Sequence, residues 1–248
     1  MSGCRDPRHR LDTALQTAFH RDREGRRLSA PFRWHCGVTL VGGGAVSLRD
    51  MEEARKLAPV LVAADGGADA ALALGQCPDM AIGDFDSISD AARATLGPDR
   101  LLHVAEQDST DFAKALGRIE AHHVIAIGFS GRRLDHTLAA LNVMTRNLAP
   151  PCVMLAAEDV AFMAPRDLSL PLAAETRVSL FPMGRVTGKS SGLKWPIDGI
   201  DFGPDGRVGT SNEATGAVQL SIYGPMLVML PRDCLGLVVA AITAPMSA

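Results

Sequence analysis

No apolar run in this 248-residue chain approaches the roughly 20 residues that a bilayer-spanning helix needs, because Gly, Pro or a charge interrupts each strand-like stretch. A membrane is therefore not an expected partner. Cysteine is sparse and scattered: Cys4, Cys36, Cys77, Cys152 and Cys234 stand far apart without a C-x-x-C pair, which suits neither a disulfide framework nor a zinc site. They read as reduced thiols in a soluble, cytoplasmic protein. Strong charge of one sign is missing too. With a formal net charge of −3, the bulk electrostatics call for neither nucleic acid nor an anionic surface, and a small-molecule substrate fits better. Internal repeats and low-complexity tracts are also absent.

Hydrophobic residues make up 47% of the chain, enough for one large core or two modest ones. Residues 1–34 differ from the rest, carrying Arg5, Arg8, Arg10, Arg21, Arg23, Arg26 and Arg27 without an apolar core or a small-residue cleavage site. That argues against a secretory signal, and Asp6, Asp12, Asp22 and Glu24 argue against a transit peptide. Leu11, Leu15, Ala18 and Phe19 share a helical face, but the charge density suits a loosely ordered N-terminal extension.

From Val38 onward, short apolar runs alternate with helical periodicity, the pattern of a parallel sheet with crossover helices. Strands are expected near Val38–Val41, Val60–Ala64, Met80–Gly83, Leu101–Val104, Val124–Ile127 and Val153–Leu155. Ser47 with Asp50 predicts a capping-box helix start and Ser89 another, while Ala113, Leu116, Gly117 and Glu120 are expected to continue a fourth helix. His122-His123 reads as a helix end before the fifth strand. Beyond Glu158 the period becomes two, at Val178 and Leu180, at Val218, Leu220 and Ile222, and at Met226, Val228 and Leu230, with no amphipathic helix expected. The fold class is thus an α/β domain with a mostly parallel sheet and flanking helices over residues 35–157, followed by an all-β, sandwich-like domain over 158–248.

Acidic residues collect where these strands end. Asp65 follows the second, Asp84 and Asp86 the third, Asp108 and Asp111 the fourth, and Asp135 lies shortly after the fifth. The carboxyl ends of parallel strands share one edge, where ligands bind. Carboxylates brought together there repel unless a cation sits among them, and Mg²⁺, which takes oxygen ligands and bridges phosphates, is the natural one.

Each motif admits a plain and a functional reading. Asp65-Gly66-Gly67 is either a turn or a close approach of backbone N–H groups to phosphate, and Gly42-Gly43-Gly44 has the same two readings. In Gly83-Asp84-Phe85-Asp86-Ser87, residues two apart on extended backbone would offer two carboxylates to one ion and turn Phe85 to the core. Gln107-Asp108-Ser109-Thr110-Asp111 opens a helix that carries Lys114 one turn on, either a capped helix start with an ion pair or part of the site. Gly131-Arg132-Arg133-Leu134-Asp135-His136 supplies guanidinium groups able to clamp phosphate, one of the two arginines doing so. His136 is a hydrogen-bonding residue at a helix start or, alternatively, a base.

Taken in order and spacing, Asp65-Gly66-Gly67-Ala68, Pro78-Asp79 leading to Gly83-Asp84-Phe85-Asp86-Ser87, Asp108-Ser109-Thr110-Asp111 with Lys114-Ala115-Leu116, and Arg133-Leu134-Asp135-His136-Thr137 resemble the thiamine pyrophosphokinase family. Gly192-Leu193-Lys194-Trp195-Pro196 and Ser211-Asn212-Glu213 resemble its thiamine-side segments, so the likeness runs from about Val38 to Leu230. Arg132 stands where the family usually has a second glycine. The resemblance implies transfer of pyrophosphate from ATP to thiamine with AMP leaving, and a homodimer with thiamine bound where subunits meet. It implies nucleotide-side contacts at Asp65, Gly66, Gly67, Asp108, Thr110 and His136, and thiamine-side contacts at Trp195, Ser211 and Asn212.

The expected mechanism places Mg²⁺ among some of Asp65, Asp84, Asp86, Asp108 and Asp111 while the thiamine hydroxyl attacks the β-phosphorus of ATP in line. Lys114 and Arg133 would balance the growing charge, and Asp111 or Asp135 would take or orient the hydroxyl proton. Two alternatives stand beside it: a pyrophosphokinase for another alcohol such as a pterin, and a non-catalytic nucleotide or thiamine sensor.

Overall fold

The structure, a computed structural model, describes residues 20–21, 27–28, 32–106, 108–146 and 150–244. The helical face at Leu11, Leu15, Ala18 and Phe19 lies outside them. Strands β1 (Val38–Val41), β2 (Val60–Ala64), β3 (Met80–Gly83), β4 (Leu101–His103), β5 (Val124–Ile127) and β6 (Cys152–Leu155) pair in parallel in the order β6-β5-β1-β2-β3-β4. β1, β2, β3 and β5 are buried at every position, which explains their unbroken apolar sequences: strands covered on both faces have no polar side to show. The chain steps outward from β1 to β4, then returns to the far side of β1 for β5. Their carboxyl ends therefore diverge between β1 and β5 into a crevice.

Helices α1 (Leu48–Leu57), α2 (Gly67–Ala73), α3 (Asp90–Leu96), α4 (Asp111–Leu116) and α5 (Leu134–Met144) connect these strands. Ser47 and Asp50 form the expected capping box and Ser89 caps α3. α4 is shorter than its periodicity suggests. It stops at Leu116 with Gly117 as its cap, and Ile119–Glu120 instead pairs with Phe32–Arg33 as a short parallel ladder. Glu120 is therefore not helical, and His122-His123 follows a strand rather than ending a helix.

After β6 the expected change of domain is not a break in the sheet. β7 (Asp159–Met163) folds back antiparallel on β6, and β8 (Asp167–Leu170), β9 (Arg177–Pro182), β10 (Thr187–Leu193), β11 (Gly209–Tyr223) and β12 (Met226–Pro231) continue the ladder as β6-β7-β12-β9-β11-β8, with β10 also on β11. The result is one twelve-stranded mixed sheet with helices and a β-rich C-terminal region, not a mostly parallel sheet beside a separate one. Pairing β7 onto β6 satisfies backbone groups that would otherwise form an exposed edge. The N-terminal part of the 15-residue β11 pairs with β9 and its C-terminal part with β8 and β10. Val218, Leu220 and Ile222 thereby share a core with Val178, Leu180 and Val228, as the period-two pattern predicts.

Two further expectations change. Residues 235–243 form a helix, α6 (Leu235–Thr243), which buries Leu235, Val238 and Val239; a stretch apolar almost all round hides its period. Cys77 is disulfide-bonded, while Cys152 and Cys234 are free, because scattered spacing along a chain does not fix spacing in the fold. Among the described residues no helix is long and apolar enough to cross a membrane.

The antiparallel and parallel parts of this sheet are tied by charge. Arg232, just after β12 and 6% exposed, places Nη1 2.7 Å from Asp50 and Nε 2.8 Å from Glu53, both on α1. The same Nη1 donates to the Ala156 carbonyl at 2.9 Å. Removing the guanidinium strands two partly buried carboxylates. Arg232→Ala is accordingly expected to lower unfolding free energy by about 3 kcal/mol, read by urea denaturation; a loss under about 0.5 kcal/mol would show the contact to be incidental.

Candidate active site

A cleft of about 630 Å³ opens at the carboxyl ends of the parallel strands. Its walls come from Gly42–Gly44 after β1, Gly66 after β2, Asp84 and Asp86 after β3, the start of α4, and Gly128–Ser130 after β5, with Arg132, Arg133 and His136 at the mouth of α5. It thus straddles the point where strand order reverses. Glycine is a steric requirement at its floor. A Cβ on Gly67 would lie 2.0 Å from the Val41 carbonyl oxygen, and one on Gly44 2.4 Å from that of Gly128.

Asp65 is the electrostatic centre. It is 1% exposed, and neither carboxylate oxygen accepts a hydrogen bond from the described residues. Burial, then the proton-sharing Asp84 carboxylate, then the charges of Asp111 and Asp86 push its pKa up to about 7. Lys114, 6% exposed, donates to Asp84 at 2.6 Å and to Asp111 at 3.4 Å. Its hydrogen bond holds the Asp84 carboxyl below the usual range. Burial opposes the Lys114 charge, but hydrogen bonding to Asp84 and the nearby negative charge raise its pKa above that of a free lysine. Asp111, at the first position of α4, is raised by burial against the pull of Lys114.

One ion fits this arrangement. Oxygens of Asp65, Asp84 and Asp86 lie within 4.8 Å of one another, and a buried carboxylate without a donor needs either a proton or a cation. The donor set is all oxygen, which suits Mg²⁺. The route to this geometry differs from the extended-backbone expectation. Phe85 has φ +64°, so the backbone curls between the two aspartates instead of alternating. Asp65 itself has φ +45° and Ser211 φ +59°. Each costs on the order of 1–2 kcal/mol for a residue with a side chain, and all three lie in segments that the sequence singles out.

The remaining candidates divide. Thr110 caps α4 through its hydroxyl and lines the cleft, as do Gly66 and His136, while Gly67 packs beneath it. Arg133 lines the cleft but its guanidinium is held by both oxygens of Asp135, at 3.1 and 2.6 Å. Arg132 also lines it, with no ion pair among the described residues. Asp108 and Asp135 are exposed, belong to neither the cleft wall nor the three-carboxylate group, and Asp111 lies on the wall but outside that group.

Trp195, Ser211 and Asn212 gather elsewhere in the chain, away from the cleft wall. Asn212 is buried and spends its amide on backbone, accepting from Trp195 N at 3.2 Å and Glu213 N at 2.8 Å and donating to Trp195 O at 2.7 Å. It therefore fixes the Trp195 segment. The Trp195 ring is 55% exposed and carries Lys194 Nζ 5.1 Å from its centroid. Sequence reading missed Gly128, Phe129 and Ser130 on the cleft wall. The signal was present, since they follow β5 on the same edge as the aspartates, and Phe129 packs on Phe112 with centroids 4.5 Å apart.

This cleft and sheet place the chain among α/β proteins with a ligand crevice at the carboxyl ends of parallel strands. Residues 51–154 match the family model "Thiamin pyrophosphokinase, catalytic domain" and residues 167–227 "Thiamin pyrophosphokinase, vitamin B1 binding domain". The chain belongs to the thiamin pyrophosphokinase family. It is 27% identical over 154 residues to "Thiamine pyrophosphokinase 1" of Oryza sativa subsp. japonica, covering 54% of this chain and 58% of that protein, so it spans less than two thirds of that relative. Among solved structures it is similar to thiamin pyrophosphokinase from Candida albicans (TM-score 0.67, 16% identity, 79% of this chain and 89% of that one). It is also similar to that from Geobacillus thermodenitrificans (TM-score 0.64, 23% identity, 78% and 96%). At such identities the likeness is one of fold.

The Asp65 shift has a signed consequence. Its folded pKa is raised from 3.8 to about 7, so the native state keeps a proton that the unfolded chain releases, and stability falls as pH rises through that window. The cation-free protein is expected to melt at a lower temperature at pH 8 than at pH 5, and Mg²⁺ to raise the midpoint more at pH 8. Asp65→Asn should flatten both trends in thermal melts; an unchanged Mg²⁺ response in that variant would remove Asp65 from the site.

Proposed function

We propose that the chain transfers pyrophosphate from ATP to the hydroxyl of thiamine, giving thiamine diphosphate and AMP. The observation that carries this reading is the buried Asp65, its oxygens without a donor among the described residues, grouped with Asp84 and Asp86 beside a glycine-floored cleft that Lys114 lines, on a chain whose two segments match the catalytic and vitamin B1 binding models. Three units fit it: an extension over 1–34, an α/β catalytic unit with the parallel strands over 35–157, and a sandwich-like thiamine-side unit over 158–248.

Asp65, Asp84 and Asp86 would hold Mg²⁺, which when bound supplies charge neutralisation to the phosphate oxygens. Gly42–Gly44 and Gly66 line the cleft with bare backbone, which those phosphates could approach closely. Lys114 and the arginines of the α5 mouth balance the negative charge that grows on the departing AMP. The thiamine hydroxyl oxygen bonds to the β-phosphorus; the bond from that phosphorus to the α–β bridging oxygen breaks, and AMP leaves with its electron pair. Asp111 is better placed than Asp135 to take the hydroxyl proton, since it lines the cleft with a raised pKa, whereas Asp135 is bound to Arg133 and would orient it. Asp108, exposed ahead of α4, would act only on the outer phosphate.

On the thiamine side, Trp195 offers a ring that already accepts the Lys194 cation, and the thiazolium of thiamine carries the same charge. Because Trp195, Ser211 and Asn212 stand apart from this cleft, a homodimer that brings the segment of one copy to the cleft of another suits the reading.

Pure protein with ATP, Mg²⁺ and thiamine is expected to yield AMP and thiamine diphosphate in equal amounts; ADP, or turnover indifferent to thiamine, would sink the proposal and favour another acceptor or a sensor. Asp84→Asn should lower kcat by at least about a hundredfold with the far-ultraviolet circular dichroism unchanged. Near-normal turnover would exclude Asp84 from the reacting centre.

A further inference from the structure

The loop that joins Asp84 to Asp86 is held in its curled form by a side chain outside the cleft. Arg93, on α3, donates a hydrogen bond to the Phe85 carbonyl oxygen and stands over the Phe85 ring at 5.7 Å. That ring also neighbours His103, its centroid 5.7 Å away and tilted by 39°. Phe85 is buried and its φ of +64° is unfavourable for a residue with a side chain, so external contacts must offset the strain. A relaxed Phe85 would turn Asp84 and Asp86 apart. The helix that carries Arg93 is itself anchored to the other side of the cluster: its cap, Ser89, donates through its backbone N–H (2.9 Å) and its hydroxyl to Asp69. Asp69 lies on α2, which starts just after Asp65-Gly66.

We infer that Arg93 is a positioning residue for the cation site, keeping Asp84 and Asp86 within reach of Asp65 through the Phe85 peptide, with Asp69–Ser89 closing the loop of contacts. The inference rests on Asp65, Asp84 and Asp86 being a divalent-cation site. Arg93 touches none of the three in any described hydrogen bond or ion pair, so its effect runs through backbone. Its charge gives the test a sign. Loss of a positive group near a cation site tightens cation binding by Coulomb's law alone, whereas loss of a supporting contact around metal ligands weakens it, typically 10–100-fold.

The experiment titrates the full-length, metal-free protein with Mn²⁺ alone, followed by electron paramagnetic resonance, for wild type, Arg93→Met and Arg93→Lys, with thermal midpoints measured without metal. Arg93→Met is expected to bind Mn²⁺ at least about tenfold more weakly while remaining folded at the titration temperature, and Arg93→Lys to fall between it and wild type. Unchanged or tighter binding in a folded Arg93→Met overturns the inference, even if its melting point drops. Should that variant not fold, wild-type affinity in Arg93→Lys overturns it equally. Wild type that binds no Mn²⁺ would instead overturn the cation site itself, an outcome the variants cannot mimic.

Discussion

One buried ammonium group faces more negative charge than it can balance, and the cleft is organised around that deficit. Lys114 lies 2.6 Å from Asp84 and 3.4 Å from Asp111, yet Asp65 has no donor among the described residues. Burying a carboxylate without a partner is among the more costly arrangements a fold can hold. The parallel sheet makes it tolerable by setting the strand ends side by side, so that Asp65 stays buried while Asp86 reaches the surface. A proton on Asp65 or a cation brought by a ligand completes the group. A cleft built this way is ready to bind before anything enters it, which is the sense in which electrostatic sites are preorganised.

The β-rich region serves a different need. Its segment at Trp195 is exposed and anchored by Asn212, whose amide is wholly committed to backbone. Buried amides of this kind specify a loop conformation because leaving them unpaired costs more than the bond gains. The continuous sheet carries this rigidity back to the cleft, since β6 belongs both to the parallel strands and, through β7, to the antiparallel ones.

Much of this was legible in the sequence. Unbroken apolar strands such as Val60–Ala64 announce burial on both faces, and the aspartates placed just beyond them mark the edge at which the cleft lies, with Asp84, Asp86 and Asp111 on its wall. Ser47, Ser89 and Thr110 mark helix starts because a side-chain oxygen there answers a local need of the backbone. Much of what resisted reading depends on partners distant in sequence or on side-chain choices that spacing leaves open. The antiparallel continuation after β6 is decided by β12, some seventy residues on; the end of α4 by Phe32–Arg33, which claims Ile119–Glu120; the pairing of Arg133 with Asp135 by a side-chain choice that spacing leaves open. The curl at Phe85 is a further case, for its support comes from Arg93 and His103 and nothing in Asp84-Phe85-Asp86 itself announces it.

The clasp between Arg232 and α1 has a bearing on how the chain is made. Its partners Asp50 and Glu53 leave the ribosome well before it, Arg232 and Glu53 being separated by 179 residues. At about 5–20 residues per second, this leaves roughly 10–40 s in which both carboxylates wait for their counter-charge. During that time α1 and the growing parallel strands must manage without the contact that ties them to the segment after β12. A nascent chain halted before residue 232 lacks the charge that locks α1 in place.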